Sequence, residues 1–177
     1  MRDRFAGVRG SLLAMLRALV LATAALALSL PACGAPTTTT APAAAPAAES
    51  PAEACLRTAG ARREKRAAEP ARISAKHVLV KYYGAKGAKP AIARSREEAC
   101  LRAIEARDKL RGGADFSKIV IEYSEEPGAA SREGSVGSVE RSDMVPPFAD
   151  AAFELDIGQL SDVVESDFGF HVIVRTE

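Results

Sequence analysis

Apolar residues are unevenly placed along the chain. Residues 18–30 form an uncharged, mostly apolar run, and residues 34–52 carry almost no large apolar side chain. Regular periodicity begins at Arg72. Residues 73–83 (ISAKHVLVKYY) have the density of β-branched and aromatic residues that marks a strand. After a Gly/Lys/Pro loop, Ser95 with Glu98 three places on makes a capping box that opens a helix. Ala99, Ala103, Ala106 and Leu110 keep helical spacing, and Gly112-Gly113 ends the helix. Asp115 opens a second helix with Phe116, Ile119, Val120 and Tyr123 on one face. A Gly/Ser-rich loop leads to a short strand at 136–139. Pro147 starts a short helix with Phe148, Ala151, Ala152 and Phe153 inward. Residues 160–164 read as a strand. Residues 168–176 read as a last strand, with Phe168, Phe170, Val172 and Val174 alternating against His171, Ile173 and Arg175. This order predicts an α+β domain with a small antiparallel sheet over residues 71–177.

The front of the chain reads as address and tether. Arg2, Arg4, Arg9 and Arg17 precede the apolar run, which is short for a bilayer span of about 20 residues. A basic start, a short apolar core and small residues make a secretory signal over residues 1–32. Cys33 follows Leu30-Pro31-Ala32, a stretch that resembles a bacterial lipobox. Lipidation at Cys33 would anchor the protein to a membrane of a bacterial envelope, with the rest outside the cytoplasm. Residues 33–70 read as an Ala/Pro/Thr-rich linker ending in a short basic helical segment. Its Arg62, Arg63, Lys65 and Arg66 are expected on a solvated face, contact with anionic headgroups being the alternative. Glu-Ala-Cys-Leu-Arg occurs at 53–57 and again at 98–102, with no longer similarity following.

Composition narrows the classes. The 177 residues carry 24 Lys+Arg against 23 Asp+Glu, and four of those arginines lie in the leader. The balance gives no electrostatic reason to expect nucleic acid. Three cysteines are too few for a disulfide scaffold. Cys55 lies in a flexible segment and Cys100 on a helix. They would pair only in an oxidising compartment, and free thiols are the expectation. The two histidines, His77 and His171, fall in strand centres and lack a third partner for a metal site.

Several stretches together carry a resemblance. They are Ala75-Lys76-His77-Val78-Leu79-Val80, Tyr123-Ser124-Glu125, Gly134-Ser135-Val136-Gly137, Met144-Val145-Pro146-Pro147-Phe148 and Gly169-Phe170-His171-Val172-Ile173. With them, residues 73–177 resemble a parvulin-type peptidyl-prolyl cis–trans isomerase. The resemblance implies a four-stranded antiparallel sheet wrapped by four helices, in the order β-α-α-α-β-α-β-β, with the first and last strands side by side at its centre. It implies isomerisation of X-Pro bonds in secreted or envelope polypeptides, without cofactor or metal, by a protein expected to be monomeric. A non-catalytic chaperone or proline-segment binder on the same fold is the alternative.

The resemblance also implies roles. Val136, Met144 and Phe148 match the family's proline pocket; from spacing alone they read first as ordinary core packing, and the resemblance reverses that order. His77 and His171 would face each other beneath the substrate carbonyl. Glu126 stands where family members carry Asp or Cys, with Glu125 one place outside the site. Phe168 replaces a hydroxyl residue of phosphate-preferring members. Lys81, Lys86 and Lys89 lie on or after the first strand, where such members hold phosphate with arginines. Lysines there would give a mild preference for an acidic residue before proline, or simply a solvated loop.

Overall fold

The structure, a computed structural model, describes residues 48–177. The leader and Cys33 lie outside the described residues. The elements run α1 (Pro51–Ala59), β1 (Arg72–Val80), α2 (Arg96–Arg111), α3 (Phe116–Tyr123), β2 (Ser135–Glu140), α4 (Pro146–Glu154), β3 (Val164–Ser166) and β4 (Gly169–Arg175). The sheet order is β2-β1-β4-β3, and every neighbouring pair is antiparallel. The α+β class, the four-stranded sheet and the central pairing of first and last strands are as expected. The helical elements differ only in detail. Two α-helices and a short 3₁₀ turn at Ala130–Arg132, rather than three helices, separate β1 from β2, and the fourth helix precedes the sheet.

β1 and β4 are central because both of their faces are covered. Val78, Val80, Phe170 and Val172 pack against α1, α2 and α3. Ala99, Ala103 and Ala106 are fully buried, and their small side chains let α2 lie close on the strands. Toward the opposite face, Ile73, Ala75 and Ile173 pack with Ala151, Ala152 and Phe153 of α4. Capping boxes at Ser50/Glu53 and Ser95/Glu98 satisfy the first amides of α1 and α2, and Asp115 caps α3.

Two strand boundaries depart from the pattern for identifiable reasons. β1 stops at Val80, short of Tyr83. The Lys81 N–H donates to Glu125 Oε2 at 2.7 Å, and the Lys81 carbonyl accepts from Arg94 Nη1 at 2.9 Å, so side chains replace the ladder. At residues 160–164, only Leu160 makes an isolated bridge, to Val174. The Ser161 hydroxyl takes the Ile173 N–H at 2.9 Å, and regular pairing resumes at Val164.

The expectation of free thiols is corrected, and the described part of the expected linker, residues 48–70, is not free chain. Cys55 and Cys100 form a disulfide with a Cα–Cα separation of 6.1 Å, within the range such bridges adopt. Cys55 and Ala59 of α1 are buried in the core cluster beneath the sheet. Three residues of the basic run beyond α1 pair with acids. Arg63 pairs with Glu154, Arg66 with Asp156, and Lys65 with Glu69, whose carboxylate also holds Arg141. Residues 50–71 therefore form a strap on the domain, neither a free linker nor an unpaired basic patch. The two Glu-Ala-Cys-Leu-Arg copies are the two helices joined by that disulfide.

Candidate active site

The polar site grows out of the strand register. His77 pairs with Ile173 and Leu79 with His171, so the two histidines are diagonal neighbours on one face of the β1–β4 ladder. Their rings stack with centroids 5.4 Å apart and 15° between planes. Phe148 of α4 stands edge-on to both, 5.3 Å from each. A bulge in β2 brings in the next wall. Ala75 pairs with Gly137 and Lys76 with Ser135, leaving Val136 as the extra residue, with Gly137 at φ 75°. A cavity of about 440 Å³ opens here, walled by Val136, Met144, Phe148 and Phe168 and floored by His77 and His171, with Glu126 at its side.

The hydrogen bonds form one chain. Nδ1 of His77 and Nδ1 of His171 are 3.2 Å apart, His77 Nε2 is 2.8 Å from Glu126 Oε2, and His171 Nε2 is 2.7 Å from Ser166 Oγ. The hydrogen bond to His77, with the Arg132 charge, holds the Glu126 carboxyl below the usual carboxylate range despite opposition from burial. Burial, reinforced by the charges of His77 and Lys81, pushes His171 well below an ordinary imidazole, so it is neutral. An ionised Glu126 makes His77 Nε2 the donor. Neutral His171 has one N–H and one acceptor nitrogen for its two partners, His77 Nδ1 and the Ser166 hydroxyl. That hydroxyl oxygen in turn accepts the Phe168 N–H at 3.2 Å. Every ring nitrogen of the buried pair has a hydrogen-bond partner. The arrangement offers an apolar slot beside a buried imidazole pair, with a carboxylate at the rim.

The residues singled out in sequence divide accordingly. Val136, Met144, Phe148, His77, His171 and Glu126 are brought together at the cavity. Glu125 is not: both its oxygens hold Arg94, and one caps the Lys81 amide. Lys81 lines the cavity, but its buried ammonium donates to the Lys86 and Gly87 carbonyls, fastening the loop. Lys86 is exposed at the rim with Nζ 5.0 Å over the Phe168 ring. Lys89 is exposed and does not line the cavity. Sequence reasoning passed over Ser166 and Arg132. Ser166 had no signal beyond a hydroxyl five residues before a strand histidine. Arg132 had one: it is the only cation in the loop that follows Glu126.

The comparisons agree with this geometry. Residues 77–177 match the rotamase family, the PPIC-type PPIase domain. A foldase protein PrsA from Geobacillus sp. is 39% identical over 119 residues, covering 65% of this chain and 41% of the relative. A putative peptidyl-prolyl cis–trans isomerase of Drosophila melanogaster, dodo, is 36% identical over 113 residues, 60% of this chain and 66% of that protein. The solved peptidyl-prolyl isomerase of Candida albicans superposes with a TM-score of 0.56 at 26% identity, covering 60% of this chain and 63% of that one. The chain spans less than half the length of the curated foldases it matches. A family match over more than half of the chain, on the same strands that build the two-histidine cavity, shows that this protein belongs to the PPIC-type, or parvulin, family of peptidyl-prolyl cis–trans isomerase domains.

Proposed function

We propose that the protein catalyses cis–trans isomerisation of X-Pro bonds in unfolded or partly folded polypeptides outside the bacterial cytoplasm. The observation that carries this is the apolar cavity of Phe148, Met144 and Val136 set directly against the His77–His171–Glu126 chain. The reaction needs no bond broken. The barrier, about 18–20 kcal/mol, is amide resonance, and a catalyst must favour the twisted amide over both planar forms. In this reading the proline ring enters the apolar slot. The susceptible amide lies over His77 and His171, and Glu126 interacts better with the twisted state than with the planar one. Phe148 shields the imidazoles from water, which strengthens polar interactions at the amide. In the same reading, Lys86 at the rim would face the residue before proline.

The compartment follows from two supports. A disulfide between buried cysteines fits an oxidising environment. The leader-like start with Cys33 fits export and a lipid anchor, and Cys33→Ser should release the protein from membranes. The deciding measurement is a protease-coupled assay of the full chain on Xaa-Pro peptides. Turnover that falls by a decade or more in Glu126→Ala supports the reading. Peptide binding without turnover would make the domain a proline-segment binder instead.

A further inference from the structure

Arg132 touches the site at one point and the backbone around it at two. Its Nη2 lies 2.5 Å from Glu126 Oε2, the oxygen that also meets His77. Its Nε donates to the Ser135 carbonyl at 3.0 Å, and its Nη1 to the Pro127 carbonyl at 3.1 Å. Those two carbonyls bracket the loop that separates Glu126 from the bulged Val136. Each nitrogen of the planar guanidinium thus has its own acceptor, an arrangement a lysine ammonium on one flexible stem cannot reproduce. The local backbone makes room for it. A Cβ at Gly128 would stand 3.1 Å from Nη1, and Gly128 has φ 75°. The residue after Arg132, Glu133, holds a left-handed φ of 53° without being glycine, with its carboxylate 2.9 Å from Lys76 Nζ on β1. The chain accepts that uncommon conformation at the turn which aims Arg132 back at Glu126.

We propose that Arg132 is a positioning residue of this site: it holds the Glu126 carboxylate against His77 while stapling the loop that sets the distance from Glu126 to Val136. The proposal rests on the isomerase reading above and adds to it the group that fixes the acid. Two charged or titratable groups hydrogen-bond to or pair with Glu126: His77 from β1 and Arg132 from its own loop. His171 from β4 meets it only through His77. The half-buried carboxylate is held low by the His77 hydrogen bond first and by Arg132 after it. Loss of Arg132 therefore moves the Glu126 titration upward, toward an ordinary carboxylate, and the acid limb of kcat/KM with it.

The test compares wild type, Arg132→Lys and Arg132→Gln in the full chain by two readouts. The first is direct NMR titration of the Glu126 carboxyl carbon in glutamate-labelled protein, assigned through Glu126→Gln. The second is kcat/KM against pH for an Ala-Pro peptide. In Arg132→Gln, Glu126 should titrate higher and kcat/KM at neutral pH should fall about fivefold, the scale of one partly exposed ion pair. Arg132→Lys should restore the titration and regain part of the rate, because the charge returns without both loop bonds. An unchanged Glu126 titration in Arg132→Gln overturns the proposal, as does full wild-type kcat/KM in that variant. Equal loss of rate in both variants with no change in titration would reduce Arg132 to a loop staple and also overturns it. Failure of the isomerase reading is separately visible. A wild-type chain without turnover, or a silent Glu126→Ala, removes the second readout while the titration still tests the Arg132–Glu126 coupling.

Discussion

Val78, Val80, Phe170 and Val172 leave the two central strands on one side; His77, Leu79 and His171 leave them on the other. The side chains alternate along the same nine and seven residues, so one pair of strands builds both surfaces. Against α1, α2 and α3 the sheet meets an apolar cluster of alanines, valines, Ile119, Tyr123 and a disulfide. Against α4 it is apolar at the Ile73–Ile173 end and opens at the other end into the histidine cavity. Hydrophobic contact is nondirectional, so the helical face needs only volume and patterning. The cavity face needs partners at fixed distances. A change on the first face should therefore cost stability alone, and a change at the cavity should cost turnover, with stability affected only where a large ring is lost.

Phe148 probes both sides of that division and should show the largest effect. Its ring is 3% exposed and stands edge-on to both histidines. Phe148→Ala should lower unfolding free energy by about 3–5 kcal/mol, the usual cost of truncating a buried phenylalanine. It should also reduce kcat/KM when compared at equal folded fraction in a denaturant-calibrated assay. Stability loss with normal turnover per folded molecule would make the ring core alone.

The disulfide is the matching probe of the other face. It closes a separation of 45 residues and ties α1 to α2. Replacing Cys55 and Cys100 together with Ala should cost about 3–4 kcal/mol, chiefly through the freed unfolded chain. Dithiothreitol should lower the wild-type Tm and leave that of the double variant unmoved. Turnover per folded molecule should stay at the wild-type value in both. A fall in turnover would mean that the strap reaches the cavity and that the two faces are coupled.

How far all of this could be read from the chain depends on which interactions were local. The density of β-branched and aromatic residues around His77 and the alternation around His171 give both central strands, and the Ser95–Glu98 spacing gives α2, because strand patterning and helix caps are written within a few residues. The end of β1 was not legible: Arg94 and Glu125 cap Lys81 from other elements. Nor was the β3 shift, since the Ser161 hydroxyl standing in for a ladder acceptor leaves no periodic trace. The strap had a signal that went unused. Ser-x-x-Glu-Ala-Cys-Leu-Arg stands at both 50–57 and 95–102, so each copy carries a capping box with its cysteine at the same helical position. At the site, Glu126 could be told from Glu125 only by the resemblance. Spacing puts both acids after the same helix, and it is Arg94, from another loop, that takes Glu125.

That pair gives the next prediction, of middle size. Glu126→Ala should slow isomerisation by about one to two decades, the range of a single polar interaction favouring the twisted amide, with little change in Tm. Glu126→Asp should keep most of the activity, since the shorter acid is the one usual in the family. Glu125→Ala should do the reverse: a lower Tm, because the Lys81 amide and Arg94 lose their acceptor, and near-normal turnover per folded molecule. If the two phenotypes exchange, the acid of the site has been assigned one residue too late.

The smallest effect concerns the rim. The three lysines that look alike in sequence occupy three situations. Lys81 is committed to two carbonyls, Lys86 stands over Phe168 at the cavity, and Lys89 faces solvent away from the lining. Of the three, only Lys86 is an exposed ammonium at the cavity rim. An exposed ammonium in water contributes a few tenths of a kcal/mol to about 1 kcal/mol, so any preference for Glu-Pro over Ala-Pro peptides should not exceed about threefold to fivefold. Lys86→Ala should remove it, and Lys89→Ala should leave it intact. Raising salt from 0.05 to 0.5 M should shrink it in the wild type, because the screening length falls to a few ångströms. Lys81→Ala belongs to a different class: loss of the buried ammonium frees the 86–87 carbonyls and should lower turnover of both peptides together. A preference that survives both Lys86→Ala and high salt would have to come from shape at Phe168 and not from charge.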